Sequence, residues 1–249
     1  MENKYDDPKF FEKYSQMKRS QEGLAGAGEW ETLRSLLPEF QGARVLDLGC
    51  GYGWHCIYAV EHGAQSVVGL DLSEKMLEVA REKTASSLEA SLAGRVRYVR
   101  GAIEEAEFPE NSFDIVLSSL ALHYVKDFGS VVRQVRRCLS AGGIFVFTAE
   151  HPVFTAHGTQ DWYYDENGNI LHFPVDRYFM EGKRTANFLG EEVVKYHKTL
   201  TTYLETLLEN GFELLHVKEP QPPESMLSLE GMADELRRPM MLAVAARKK

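Results

Sequence analysis

Cysteine is scarce in this chain: Cys50, Cys56 and Cys138 are the three among 249 residues, and no two stand in a C-x-x-C pair. A disulfide framework and a structural zinc site are therefore not expected, and the compartment is expected to be reducing. Basic charge is also short, with 28 Lys and Arg against 37 Asp and Glu and a net charge of −9. Gripping a polyanion needs clustered cations that release counterions, so no nucleic-acid partner is expected. The one dense basic cluster before the tail, Arg133, Arg136 and Arg137, alternates with Val131, Val132, Val135 and Leu139 and reads as a solvated helix face. No apolar run approaches membrane-spanning length, and the first residues lack the apolar core of a signal peptide. The expected location is the cytoplasm, with no membrane partner. At 44% hydrophobic residues the chain can bury its core as one domain, 1–249, with no second domain required.

What the chain does have is a glycine-rich turn with a carboxylate twenty residues beyond it. Val45-Leu46-Asp47-Leu48-Gly49-Cys50-Gly51-Tyr52-Gly53 and Gly69-Leu70-Asp71-Leu72-Ser73 read as two buried strands, each ending in a ligand-facing turn. Glycines at alternate positions let the main chain bend and come close to a ligand over the first strand. Asp71, at the tip of the second strand, can accept hydrogen bonds from both hydroxyls of a ribose. The ligand is thus a nucleoside-bearing cofactor with a free 2′-hydroxyl. A nicotinamide fingerprint needs Gly at position 54, which is Trp54; a P-loop needs Gly-Lys-Ser/Thr, and the loop has no lysine.

These residues resemble the first motif of the class I S-adenosylmethionine-dependent methyltransferases, which reads hydrophobic-hydrophobic-Asp-hydrophobic-Gly-Cys/Ser-Gly-x-Gly. Phe108-Pro109-Glu110-Asn111-Ser112-Phe113-Asp114-Ile115-Val116 is similar to the loop and strand of the subgroup (methyltransferase type 11) that includes small-molecule and quinone-biosynthesis enzymes. Leu139-Ser140-Ala141-Gly142-Gly143-Ile144-Phe145-Val146 is similar to its turn into the fifth strand. The resemblance implies an α/β Rossmann-like fold: a seven-stranded, mostly parallel sheet whose last strand inserts antiparallel beside the fifth. It also implies S-adenosyl-L-methionine as cofactor and a helical cap, residues 1–40, folded over it. A nicotinamide-dependent oxidoreductase and a non-catalytic S-adenosylmethionine-binding relative remain as alternatives.

Periodicity places cap helices at 8–19 and 28–37, strands at 44–48, 66–70, 96–100, 113–118 and 143–148, and helices at 54–62, 74–89 and 129–139. Ser73 is the expected N-cap of the second of these. Residues 151–190 lose the α/β rhythm and gather aromatics around a hairpin tip, Asp165–Asn169; they read as an inserted substrate cover above the crevice. A helix over 191–210 ended by Gly211, a strand at 212–218, a helix near 225–237 and a last strand at 240–246 complete the reading.

By resemblance, Gly49, Cys50, Gly51, Asp71, Leu72 and Met76 seat the adenosine, Ala102 and Ile103 read its ring edge through the main chain, and Ser118, at the end of the fourth strand, is a further cofactor-binding candidate. The family commonly has an acidic residue where this chain has Ala102, so Glu104 is the candidate substitute acceptor. Tyr14 and Arg19 are candidates for the methionine end, Arg19 as a fork for its carboxylate. Methyl transfer from a sulfonium needs chiefly a fixed donor and a held nucleophile; an oxygen or carbon nucleophile adds a base. His123, after the fourth strand, His151, ending the fifth, and His197, at the start of the expected helix 191–210, are the candidates. The fourth strand carries Ser118-Ser119-Leu120-Ala121 instead of the Asn/Asp-Pro-Pro-aromatic motif of nucleic-acid amino methylation, and the Asp-Asp or Asp-Asn metal-site pattern typical of catechol-type relatives is not evident. The expectation is a metal-independent enzyme with a small, partly apolar acceptor.

Overall fold

The computed structural model describes residues 3–249. The cap comprises helices α1 (Pro8–Ser15), α2 (Lys18–Glu22) and α3 (Trp30–Arg34). Asp7 starts α1 by accepting the main-chain N–H of Lys9 and Phe10, with Pro8 in the first turn. The expected helix 8–19 breaks because Met17 is extended, with φ −63° and ψ 145°.

The α/β body follows as β1 (Arg44–Leu48), α4 (Trp54–Glu61), β2 (Ser66–Asp71), α5 (Glu74–Ser87), α6 (Ala90–Ala93), β3 (Val96–Arg100), β4 (Phe113–Ser119), α7 (Phe128–Cys138) and β5 (Leu139–Glu150). Ser73 caps α5, its hydroxyl accepting from Met76 N–H. Beyond β5 come α8 (Pro152–Thr155), the hairpin β6 (Tyr163–Tyr164) and β7 (Ile170–His172), the hairpin β8 (Gly182–Phe188) and β9 (Glu191–His197), then α9 (Leu200–Glu209), β10 (Phe212–Lys218) and β11 (Met241–Lys248).

Seven strands form one sheet in the order β10-β11-β5-β4-β1-β2-β3. Pairs from β5 through β3 are parallel, while β11 runs antiparallel to both β5 and β10. Because side chains alternate across a strand, Val116 and Phe147 pack on one face against Val132 of α7 and Tyr203 of α9. Ile115 meets Ile57 and Leu77 of α4 and α5 on the other face, where Leu117 and Val146 meet Trp30 and Leu33 of α3. Arg133, Arg136 and Arg137 lie on the solvent side of α7. No described helix is long and apolar enough to cross a membrane.

One expected helix is shortened and another is absent. Residues 191–197 form β9 instead: Val193, Val194 and Tyr196 favour a pleated strand, and Leu189-Gly190, at φ 56° and 74°, make the two-residue turn that pairs β9 with β8. The helix starts only at Leu200, capped by the Thr199 hydroxyl. Near 225–237 there are two short 3-10 turns, Glu224–Met226 and Asp234–Arg237, separated by Gly231 at φ 77°.

Candidate active site

A cavity of about 620 Å³ opens at the carboxyl ends of β1, β2 and β4, between the cap and the β8-β9 hairpin. Its floor is the glycine turn. The N–H groups of Gly49 and Cys50 both donate to Leu70 O, at 2.8 and 2.9 Å, folding the chain back over β2. Gly53, at φ 75°, starts α4, and a Cβ there would lie 2.1 Å from the Tyr98 hydroxyl. At Gly51 a Cβ would meet nothing within 4 Å, so the main chain there is open to the cavity.

Asp71 ties the two turns together. Its Oδ2 accepts Gly51 N–H at 2.8 Å and its Oδ1 accepts Ser73 N–H at 2.9 Å. Burial raises its pKa, and those main-chain donors only partly offset the effect. Leu72, Met76, Ala102 and Ile103 continue the same wall, and Cys50 lies beneath it as a thiol whose pKa burial raises well above the usual range.

The cap closes the other side with Tyr14, Met17 and Arg19. The Arg19 guanidinium donates to Glu29, a carboxylate only 3% exposed, which sequence reasoning missed because it read position 29 as part of the cap helix 28–37, where nothing marks an acidic residue as buried. Burial works against the Arg19 charge, and Glu29 outweighs it to leave the pKa raised. Glu29 Oε2, Ser20 Oγ and Trp54 Nε1 are buried on this wall without a hydrogen-bond partner among the described residues. Orphaned polar atoms of this kind call for a polar ligand. Open main chain at Gly51, a carboxylate at Asp71 and a zwitterionic Arg19–Glu29 pair together suit an adenosine linked to an amino-acid end.

Four of the residues singled out from sequence lie off the cavity wall. Ser118 is fully buried and donates to Leu48 O at 2.8 Å inside the sheet; strand alternation puts its neighbour Ser119 on the wall instead. Glu104 accepts the N–H groups of Lys126 and Asp127, at 2.7 and 3.0 Å, and pins the loop before α7. His151 caps α8, its Nδ1 accepting Val153 N–H, while its Nε2 lies 3.0 Å from Glu219 as a close contact, not an aligned hydrogen bond. His197 ends β9 with both ring nitrogens engaged, Nδ1 with the Thr155 hydroxyl at 2.7 Å and Nε2 with Tyr178 O at 2.8 Å.

His123 does reach the cavity. Its Nδ1 accepts the main-chain N–H of Glu150 at 3.3 Å, which assigns the proton to Nε2, 4.0 Å from Glu150 Oε1. Burial lowers its pKa to about 4, so the ring is neutral near pH 7 despite the nearby carboxylate. In this arrangement the nitrogen facing the carboxylate is a donor, and the free lone pair that a general base needs is taken.

Part of the remaining wall, Val193 and Lys195, was hidden in the segment read as a helix. Lys195, 1% exposed, points inward from β9 and donates to Glu150 Oε1 at 2.5 Å and to Gln160 Oε1 at 2.8 Å. Gln160 closes the triangle by donating to Glu150 Oε2 at 2.6 Å. Phe154, Phe188, Val193, Met240 and Met241 line the cavity around it. Reading Val193, Lys195 and His197 at period two as one strand face was the signal available.

Fold and cavity define a Rossmann-like enzyme with a nucleoside cofactor beneath a helical cap. Residues 46–147 match the family described as Methyltransferase domain. A solved Listeria monocytogenes structure, provisionally named an S-adenosylmethionine-dependent methyltransferase, is 53% identical with a TM-score of 0.84 over 91% of this chain and 99% of that one. An S-adenosylmethionine-dependent methyltransferase from Mesorhizobium loti is 44% identical, TM-score 0.81, over 91% and 100%. The demethylmenaquinone methyltransferase of Listeria monocytogenes serotype 4a is 41% identical over 45% of this chain and 46% of its own length. The chain belongs to the S-adenosylmethionine-dependent methyltransferase family.

Proposed function

We propose that the protein transfers a methyl group from S-adenosylmethionine, its cofactor, to a small, partly apolar molecule, without nucleic acid or membrane as partner. The observation that carries this reading is one cavity joining Asp71 and the glycine turn to an apolar half around Phe154, Phe188 and Met240. Its volume is that of a small-molecule site, and the similarity of 115 residues of the chain to a demethylmenaquinone methyltransferase supports a small-molecule acceptor.

The donor supplies a methyl already activated by the sulfonium charge, so this chain's residues have mainly to bind, orient and exclude water. Asp71 accepts the ribose hydroxyls. Main-chain groups of Ala102 and Ile103 meet the adenine edge, with Leu72 and Met76 against its faces. Arg19 offers its remaining N–H groups to the carboxylate of the amino-acid end, and the unpartnered Glu29 Oε2 accepts from its ammonium. Tyr5 and Tyr124, their hydroxyls 3.1 Å apart, join the segment ahead of the cap helices to the turn after β4 on the cavity wall.

Calorimetry with S-adenosylmethionine, S-adenosylhomocysteine and NAD tests the reading. Binding of both sulfur nucleosides without NAD is expected; binding of NAD alone would overturn it.

A further inference from the structure

The Glu150–Gln160–Lys195 triangle is a recognition element with unused capacity. An ammonium has three N–H groups and a primary amide two. Lys195 Nζ commits two of its three and Gln160 Nε2 one of its two, leaving one uncommitted N–H on each among the described residues. The amide orientation is fixed by the network, because only this one puts its oxygen toward the ammonium and its nitrogen toward the carboxylate. Gln160 stands at φ 63°, a left-handed conformation that strains a residue with a side chain. Backbone strain of this kind persists where surroundings over-determine it, which is common at ligand sites.

A buried ion pair is often no more stable than well-packed apolar residues, and the walls beside this one are Phe154, Phe188, Val193 and Met240. Lys195 also lies 5.4 Å from the centre of the Phe188 ring. An aromatic face, an apolar surround and two spare N–H groups suit an oxygen on an apolar ring. An ammonium acceptor would face Lys195 and two donors. A permanent carboxylate would add an anion beside Glu150, whose charge already balances Lys195. An acidic hydroxyl enters neutral and can lose its proton in place. Burial alone would raise the Glu150 pKa, but neighbouring His123, the charge of Lys195 and the hydrogen bonds from Lys195 and Gln160 bring it below the usual value.

We propose that this triangle binds the methyl acceptor through an acidic hydroxyl of the phenol or enol class, with Lys195 Nζ and Gln160 Nε2 donating to its oxygen and favouring the oxyanion, the proton passing to solvent. The proposal rests on the methyltransferase reading and deepens it. Lys195 and Gln160 touch the acceptor; Glu150 is a positioning residue.

The test uses the full chain saturated with S-adenosylhomocysteine, which leaves the acceptor half free, and three probes of similar size: 4-nitrophenol, 4-nitroanisole and 4-nitrobenzylamine. The phenol should bind at least about tenfold tighter than the ether or amine, the return of one charge-assisted hydrogen bond. Its visible phenolate band should show an ionisation constant raised about tenfold on binding. In Lys195→Met the raised ionisation constant should vanish and the phenol preference should fall well below about tenfold, Gln160 Nε2 alone remaining as donor. Since that change strands the Glu150 charge, Glu150→Gln combined with Lys195→Met supplies a neutral triangle and should behave alike, with S-adenosylhomocysteine affinity within about twofold of the parent. Absent or equal phenol binding, preference for the amine, or a phenol preference undiminished in either folded variant overturns the proposal. Failure of S-adenosylhomocysteine itself to bind would instead overturn the donor reading.

Discussion

Replacing Asp71 with Asn removes one charge while keeping the shape, and its cost can be worked from the geometry. A hydrogen bond to a charged group contributes about 1.5–3 kcal/mol, against about 0.5–1.5 for a neutral one. Two ribose hydroxyls on a carboxylate would then lose about 2–3 kcal/mol together, roughly 30- to 150-fold in Kd. The fold should suffer less: the amide oxygen still accepts one of the Gly51 and Ser73 N–H groups, now 2.8 and 2.9 Å from the carboxylate, while the other faces the amide nitrogen. Unfolding free energy should fall by about 1–2 kcal/mol. The sign of the pH dependence follows from the raised pKa of the buried carboxyl. It protonates at a higher pH than an ordinary aspartate, so parent affinity should begin to fall early on acidification while the Asn variant stays flat. Calorimetric titration with S-adenosylhomocysteine across pH measures both. An Asn variant binding within about twofold of the parent at neutral pH would refute the ribose role of Asp71.

His123 has a folded pKa of about 4 against 6.5 unperturbed, so it contributes stability above the higher value that is lost as pH falls through the lower. His123→Asn, whose amide oxygen can replace Nδ1 as acceptor, should reduce the slope of unfolding free energy between those values by up to about 1.4 kcal/mol per pH unit; an unchanged slope by urea titration refutes the buried neutral ring. His197→Ala should cost about 2–4 kcal/mol by stranding its Thr155 and Tyr178 partners, with turnover per folded molecule retained; a large loss of kcat at parental stability would restore a catalytic role. Gly53→Ala combines φ 75° with a clash at the Tyr98 hydroxyl, which is 2.8 Å from Thr84, and should lower stability by about 2–3 kcal/mol. A Tm equal to the parent's would show that this turn relaxes freely.

The parallel body was legible because its signals are local: apolar runs of strand length, a capped helix at Ser73 and glycines where the chain must bend. Asp71 and the turn around Gly51 could be placed from spacing alone. The residues that missed were decided by facts that spacing does not carry. Ser118 and Ser119 differ by one pleat, and only the register of β4 between β1 and β5 assigns the cavity to Ser119. Glu104 was diverted by two main-chain donors from the loop ahead of α7, a contact 22 and 23 residues distant. For 191–197, high apolar content with charges between fits either period, and the partner strand β8 settles it. Lys195 and Gln160 become neighbours only through that hairpin.

The antiparallel seat of β11 also sets the order in which the molecule can be completed. Its partner β5 ends at Glu150, and the strand that covers that edge starts at Met241. During synthesis about ninety residues must therefore emerge before the Val146 and Phe147 edge is sealed. Until then a long apolar strand edge stands open to pairing with other chains, and closure of so long a loop slows its capture. Newly made chains should be most prone to aggregate in that interval, and a nascent chain stalled within the β10 to β11 connection should depend most on a chaperone.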